Sequence, residues 1–373
     1  MTSDSSITGH DFFMQRCLQL AALGAGYVAP NPMVGAVLVH NQRIIGEGYH
    51  QKYGEAHAEV NCIASVTEQD RNLISQSTLY VSLEPCAHHG KTPPCADLII
   101  KNKIGKVVIG CRDPFKEVDG KGIEKLKSAG VEIVLGVLEV ECKEMNKRFL
   151  TFHTKHRPYI ILKWAETGDE FIATSPHPDS YRDPLQRRGA FEDSVVPRLL
   201  ISNEYSNRLV HKWRSEESAI LVGTNTALAD NPELTTRLWD GPSPIRLIVD
   251  MDLRLPLFLK IFDKKVRTII FNRVKHEEDE NVLYYQVTEE VSIVHQVIHA
   301  LYQLKIQSVI VEGGAKLLQS FIDEQSWDEA RIIRNTKLTI DRGLPAPQLN
   351  NAHESESYLL ENDLVTIFKP AHL

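Results

Sequence analysis

The sequence predicts two consecutive α/β domains. Strand-like apolar runs alternate with helix-like stretches along both halves of the chain. A length of 373 residues suits two domains better than one. A polar Lys155-His156-Arg157-Pro158 stretch separates the two alternating series, giving expected domains of 1–154 and 155–373.

In chain order, residues 11–23 carry Phe12, Phe13, Leu18, Leu20 and Ala21 at helical spacing before Pro30 and Pro32 break the pattern. Residues 34–40 and 43–48 read as a hairpin, 56–66 as a helix and 79–83 as a strand. A helix opens at 96–101, a strand follows at 106–110, and a helix over 122–129 ends at Gly130 before a last strand at 131–137. In the second half, strands are expected at 159–164, 219–222, 245–250, 268–271 and 309–311, with helices at 203–214 and from Ala315 onward. Residues 175–197 are polar, contain several prolines and show no periodicity, so they read as a long excursion.

Composition narrows the class of function. Hydrophobic residues at 42% and charged residues at 24% exclude collagen-like, coiled-coil and wholly disordered chains. A net charge of −7 argues against a broad basic surface for nucleic acid. No apolar run approaches the roughly 20 residues of a membrane helix, and the polar start of the chain lacks the pattern of a signal peptide. The expectation is a cytoplasmic enzyme with no nucleic-acid or membrane partner. Six cysteines are too sparse for a disulfide scaffold. Cys17, Cys62, Cys111 and Cys142 lie among aliphatic neighbours and read as small buried hydrophobes.

Cys86 and Cys95 differ, because they frame a single turn-rich stretch. Together with His57-Ala58-Glu59 they supply one imidazole, two thiolates and a spare carboxylate. Three protein ligands leave zinc an open tetrahedral position, the mark of a catalytic rather than a structural site. Glu59 lies two residues from His57, about 200° round a regular helix, so both serve one metal only if it sits off the helix's first turn. A carboxylate there suits general acid–base work. A closed structural site completed by His88 or His89 is the alternative that the residues leave open. In the second half, Val309-Ile310-Val311-Glu312-Gly313-Gly314 is a strand running into a paired-glycine turn and a helix, a shape that admits a phosphate. There is no G-x-G-x-x-G.

The order His-x-Glu, Pro-Cys, Cys matches the zinc-deaminase signature, although eight residues separate Cys86 from Cys95. Pro30-Asn31-Pro32-Met33-Val34-Gly35, His57-Ala58-Glu59-Val60, Leu83-Glu84-Pro85-Cys86 and Thr92-Pro93-Pro94-Cys95 resemble the bifunctional riboflavin-biosynthesis deaminase/reductases. Val210-His211-Lys212-Trp213-Arg214, Gly223-Thr224-Asn225-Thr226, Asp230-Asn231-Pro232 and Glu312-Gly313-Gly314 extend the resemblance over nearly the whole chain. The resemblance implies a cytidine-deaminase-like three-layer α/β/α domain followed by a dihydrofolate-reductase-like α/β domain. It implies zinc on His57, Cys86 and Cys95, proton transfer by Glu59, and substrate contacts from Asn31, His50, Lys91 and Asp113. NADPH would meet Thr226, Asp230, Gly314, Ala315, Lys316 and Leu317, and the phosphorylated pyrimidine substrate would meet Arg214, Leu234, Arg237 and Glu312. A homo-oligomer is also expected.

Three departures from that family stand out. Phe115-Lys116 replaces the usual Asn-Pro after Asp113-Pro114. Glu170 stands where a glycine is usual, and Leu200 where a Trp is usual. Competing readings are an active deaminase with a degenerate reductase half, a nucleoside or tRNA deaminase, and a zinc-stabilised binding module in which Glu59 is dispensable.

Overall fold

The computed structural model describes residues 9–87, 93–115, 119–174 and 199–371. Lys91, His88, His89 and the whole of the expected excursion at 175–197 lie outside them. The chain forms two compact units, Met1–Pro158 and Tyr159–Leu373.

The first unit runs α1 (Gly9–Ala22), β1 (Gly35–His40), β2 (Arg43–Tyr49), α2 (Ala58–Ala64), β3 (Thr78–Leu83), α3 (Cys95–Lys101), β4 (Lys106–Cys111), α4 (Lys121–Ser128), β5 (Glu132–Leu135), α5 (Glu139–Met145) and α6 (Lys147–Lys155). Its sheet has the order β2-β1-β3-β4-β5. The β1–β2 and β1–β3 pairs are antiparallel, and the β3–β4 and β4–β5 pairs are parallel. Successive strand residues face opposite sides, so both faces must be covered. Ala36, Leu38, Leu79, Val81, Val107 and Ile109 pack with Cys62, Ile99 and Leu126 from α2, α3 and α4. Val37, Val39, Tyr80 and Val108 pack with Met14 and Cys17 of α1 and Cys142 of α5. The result is the expected three-layer arrangement, with Cys17, Cys62, Cys111 and Cys142 all buried.

The second unit contains β6 (Tyr159–Thr167), β7 (Phe171–Thr174), α7 (Glu204–Glu216), β8 (Ala219–Gly223), α8 (Thr224–Asp230), β9 (Ile245–Val249), β10 (Thr268–Asn272), β11 (Glu277–Asp279), β12 (Val282–Gln286), α9 (Ile293–Gln303), β13 (Ser308–Val311), α10 (Ala315–Asp323), β14 (Glu329–Asn335), β15 (Gly343–Pro345), β16 (Ala352–Leu360) and β17 (Asp363–Pro370). Ten strands form one sheet in the order β11-β12-β10-β9-β8-β13-β6-β14-β17-β16. From β12 to β14 the neighbours are parallel; β11, β17 and β16 add antiparallel edges. Helices cover both faces: Val297, Leu301, Leu318 and Phe321 lie on one, Val210 and Trp213 on the other.

One buried carboxylate organises the site end of the first sheet. Glu84, just past β3, accepts hydrogen bonds from the backbone nitrogens of Asp113, Gly120, Gly122 and Ile123 at 3.4, 3.1, 3.0 and 3.2 Å. It thereby satisfies the start of α4 and closes the segment after β4. An amide offers only one acceptor oxygen for these four donors. Glu84→Gln is therefore expected to destabilise the first unit by about 3 kcal/mol. Amide hydrogen exchange should show lost protection at Asp113, Gly120, Gly122 and Ile123 together; unchanged protection would count against this role.

Candidate active sites

In the first unit three chain segments end at one point. His57 is the extended residue that caps the start of α2, with φ −73° and ψ 166°. Glu59 follows in the first turn of the same helix, the placement that lets both side chains serve one centre. Cys86 follows β3 by way of Glu84-Pro85, and Cys95 is the first residue of α3. The Cys95 backbone nitrogen donates to Cys86 Sγ at 3.4 Å, and the Ala96 nitrogen to the Cys86 carbonyl at 3.1 Å. The start of α3 thus stabilises a thiolate.

His57 Nδ1 stands 3.6 Å from Cys86 Sγ and 3.4 Å from Cys95 Sγ. All three donor atoms lie within 4.8 Å of one another. With zinc bond lengths of about 2.3 Å to sulfur and 2.0–2.1 Å to nitrogen, a tetrahedral centre places N and S roughly 3.5 Å apart. The donor set therefore fits zinc. Contact with Cys95 and His57 draws the Cys86 thiol well below its usual range. Glu59 is buried, and burial followed by the Cys86 charge pushes its carboxyl up to about 7 against the pull of His57.

Asn31 and His50 lie beside this cluster. The His50 and His57 rings meet edge to face at 5.4 Å. His50 Nδ1 is 3.0 Å from the Ala56 carbonyl, which requires a proton on that nitrogen and leaves Nε2 to accept from Asn31 Nδ2 at 3.1 Å. Burial holds the His50 pKa down, in keeping with a neutral ring. The Asn31 loop is pinned by Asn146, which bonds both the nitrogen and the carbonyl of Met33 at 2.8 and 2.9 Å. Sequence reasoning missed Asn146 and the role of Glu84, since a single Asn between helices carries no pattern. Asp113 is buried at the end of β4, and burial lifts its carboxyl to about 6.

The second unit gathers its candidate residues where parallel strands end. β8 and β13 are hydrogen-bonded neighbours, and their C-terminal ends lead directly into α8 and α10. Thr226 and the glycine turn consequently meet: a Cβ at Gly313 would lie 2.9 Å from Thr226 Cγ2, and one at Gly314 3.2 Å from Thr226 Oγ1. This close approach leaves little room for a side chain at either glycine, and Ala315, Lys316 and Leu317 follow in the first turn of α10. Asp230 ends α8, one turn beyond Thr226, and is exposed.

Arg214 of α7 makes a two-pronged ion pair with Glu312, 2.7 Å from Nε to Oε1 and 2.6 Å from Nη2 to Oε2. Burial would raise the Glu312 pKa, but the charges of Arg214 and Lys163 outweigh it and hold the group at about 2. Arg237 donates its backbone nitrogen to His211 Nδ1 at 2.9 Å and reaches Glu233 and Thr235 through its guanidinium. Leu234 is in the left-handed region, φ 53°, with its side chain in the apolar cluster around Trp213. Any ligand contact it makes is therefore through its backbone. His211 received no role from sequence, although it sits within the Val210–Arg214 motif; neighbouring charges single it out only once the fold is known.

Comparison with known proteins places both units. The family description "Cytidine and deoxycytidylate deaminase zinc-binding region" matches residues 7–111, and "RibD C-terminal domain" matches residues 158–339. The riboflavin biosynthesis protein RibD of Aquifex aeolicus (strain VF5) is 36% identical over 372 residues, covering 96% of this chain and 97% of that one. A crystal structure of a diaminohydroxyphosphoribosylaminopyrimidine deaminase/5-amino-6-(5-phosphoribosylamino)uracil reductase from Thermotoga maritima superposes with a TM-score of 0.84 and 35% identity, covering 97% and 99% of the two chains. A structure of Acinetobacter baumannii RibD gives 0.83 with 28% identity, covering 98% and 100%.

His211 generates a pH prediction. Burial, then Arg214 and Arg237, lower its pKa from 6.5 to about 4. The unfolded chain therefore takes up this proton first on acidification. The contribution of the neutral ring to stability is complete above pH 6.5 and is lost as pH falls toward 4. All four tryptophans lie in the second unit, so their fluorescence follows its unfolding. His211→Asn keeps an acceptor for the Arg237 nitrogen and is expected to flatten this part of the stability profile. An unaltered acid slope in the variant would refute the assignment.

Proposed function

This chain belongs to the RibD family of bifunctional riboflavin-biosynthesis deaminase/reductases, and from that premise we propose how its residues divide the two reactions. The first unit is the zinc deaminase and the second the NADPH-dependent reductase. The substrate of the first step is the diaminopyrimidinone ribosylamine phosphate, which loses an amino group to water. In the second step its ribosyl group is reduced to ribityl. The observation that carries the reading is the His57–Cys86–Cys95 triangle with buried Glu59 beside it.

His57 Nδ1, Cys86 Sγ and Cys95 Sγ hold the zinc, which when bound supplies the Lewis acidity that makes water nucleophilic near neutral pH. Glu59 takes a proton from the attacking water and returns it to the departing amine. Asn31, its amide nitrogen committed to His50, keeps its carbonyl as acceptor for a pyrimidine edge. Lys91 and Asp113 complete the substrate contacts. In the second unit the Gly313-Gly314 turn, Thr226, Asp230 and the first turn of α10 hold NADPH, which supplies the hydride. Arg237 and the Arg214–Glu312 pair orient the phosphorylated substrate, with Glu312 ionised throughout the physiological range. Cys17, Cys62, Cys111 and Cys142, buried free thiols apart from the zinc site, support a reducing, cytoplasmic setting, and the net charge of −7 supports a small-molecule rather than a nucleic-acid substrate. Among the described residues no helix is long and apolar enough to cross a membrane.

The test is a coupled assay on the purified chain, with and without NADPH, identifying products by mass. Glu59→Gln is expected to lower deamination by 10²–10⁴-fold while zinc content and reduction of the supplied deaminated compound stay at parental levels. Undiminished deamination would overturn the role of Glu59, and absence of any NADPH-dependent product would overturn the second half.

A further inference from the structure

We propose that His153, through its ring contact with Phe115, is a positioning residue for deamination that holds the Asp113 carboxylate in place for the substrate. This deepens the reading of Asp113 as a substrate contact and rests on it.

The segment after β4 is fixed at its base by two devices. Glu84 takes the backbone nitrogens of Asp113, Gly120 and Gly122. Arg112 Nε pairs with Asp119 Oδ1 at 2.9 Å. A third contact comes from α6. The His153 and Phe115 rings meet edge to face, 4.9 Å apart at 64°. His153 is itself fixed by Phe149 and Phe152 of its own helix at 4.4 and 5.4 Å, and both of those rings are buried. Offset and edge-to-face pairs of this kind are directional, so they set orientation as well as distance.

Phe115 reaches the site through its own backbone. Its nitrogen donates to Asp113 Oδ1 at 2.8 Å. Moving the Phe115 ring therefore moves the hydrogen bond that orients the carboxylate. Asp113 lies close enough to the zinc-ligand end of the sheet to feel the charges of Glu84 and Cys86. The clamp occupies the position where the family usually carries Asn-Pro, so an aromatic contact to a helix stands in for the order that a proline imposes on such a loop.

A loosened clamp weakens substrate binding without altering the proton-transfer machinery, and such a loss appears in KM rather than kcat. Steady-state deamination is measured on the full-length, zinc-loaded chain. His153→Ala is expected to raise the deaminase KM roughly ten-fold with kcat within about two-fold of parental. Bound zinc and reduction of the separately supplied deaminated compound should not change. His153→Phe keeps an aromatic ring at the contact and should retain the parental KM. Phe115→Ala removes the same contact from the loop side and should reproduce the rise, which keeps the test decisive where His153→Ala fails to fold. A parental KM in Phe115→Ala, or a His153→Phe variant as impaired as His153→Ala, overturns the proposal. Asp113→Asn separates the two levels. An unchanged KM there refutes the reading of Asp113 itself, whereas a raised KM beside parental clamp variants refutes only the clamp.

Discussion

The deaminase site depends on one buried carboxylate. Glu84 sits two residues before Cys86 and gathers four backbone amides that would otherwise be left without partners. Leaving even one such donor unmet in the interior costs about 1–3 kcal/mol, so the segment after β4 and the start of α4 are held to the end of β3. That constraint fixes the direction in which the chain leaves β3, and with it the position of the Cys86 sulfur. It also explains Gly122, where a Cβ would sit 1.9 Å from the Pro85 carbonyl oxygen. Any larger residue there would push α4 off Glu84.

The two units solve the problem of building a site differently. In the first, donors come from the beginnings of α2 and α3 and the end of β3, so backbone N–H groups surround sites of negative charge. In the second, the ends of adjacent parallel strands do the work. Because β8 and β13 are neighbours, the starts of α8 and α10 are forced together, and Thr226 comes to rest on the Gly313-Gly314 turn. Glycine is required there by a neighbour's side chain, since Thr226 fills the space that a Cβ at Gly313 would take.

Much of this was legible in the residues. His57, Glu59, Cys86 and Cys95 announce their chemistry by type and order, and strands such as β8 and β13 are nearly pure aliphatic runs. The less legible elements have physical reasons for their silence. β14 interrupts its apolar residues with Glu329 and Arg331, which neutralise each other at 2.6 Å inside the protein. β16 is an edge strand with mostly exposed, polar side chains, so alternation leaves no hydrophobic trace. α9 is rich in β-branched residues, and its Val294–Val297–Leu301 stripe shows its purpose only against the sheet. Glu84 was visible as part of a motif, but nothing in sequence says which amides a carboxylate will collect.

The departures that set the second unit apart from its relatives are absorbed locally. Glu170 adopts φ 64° in the turn between β6 and β7, the conformation that a glycine takes without strain. The cost for a residue with a Cβ is about 1 kcal/mol. Against this, Glu170 pairs with Arg334 at 3.0 Å, and Arg334 also holds buried Glu166 at 2.6 Å. With the two partners' side chains 41% and 65% exposed, the Arg334–Glu170 pair contributes under about 1 kcal/mol. The two effects are of similar size, so the substitution is close to neutral for the fold. Its added negative charge is directed to an arginine, which limits its repulsion of a phosphorylated cofactor. Leu200 is 71% exposed and so leaves no hole in the core where a larger ring is usual. Both departures are thus absorbed where they stand: the side-chain contact of Glu170 runs to Arg334 rather than to Thr226, Arg214 or Glu312, and Leu200 faces outward.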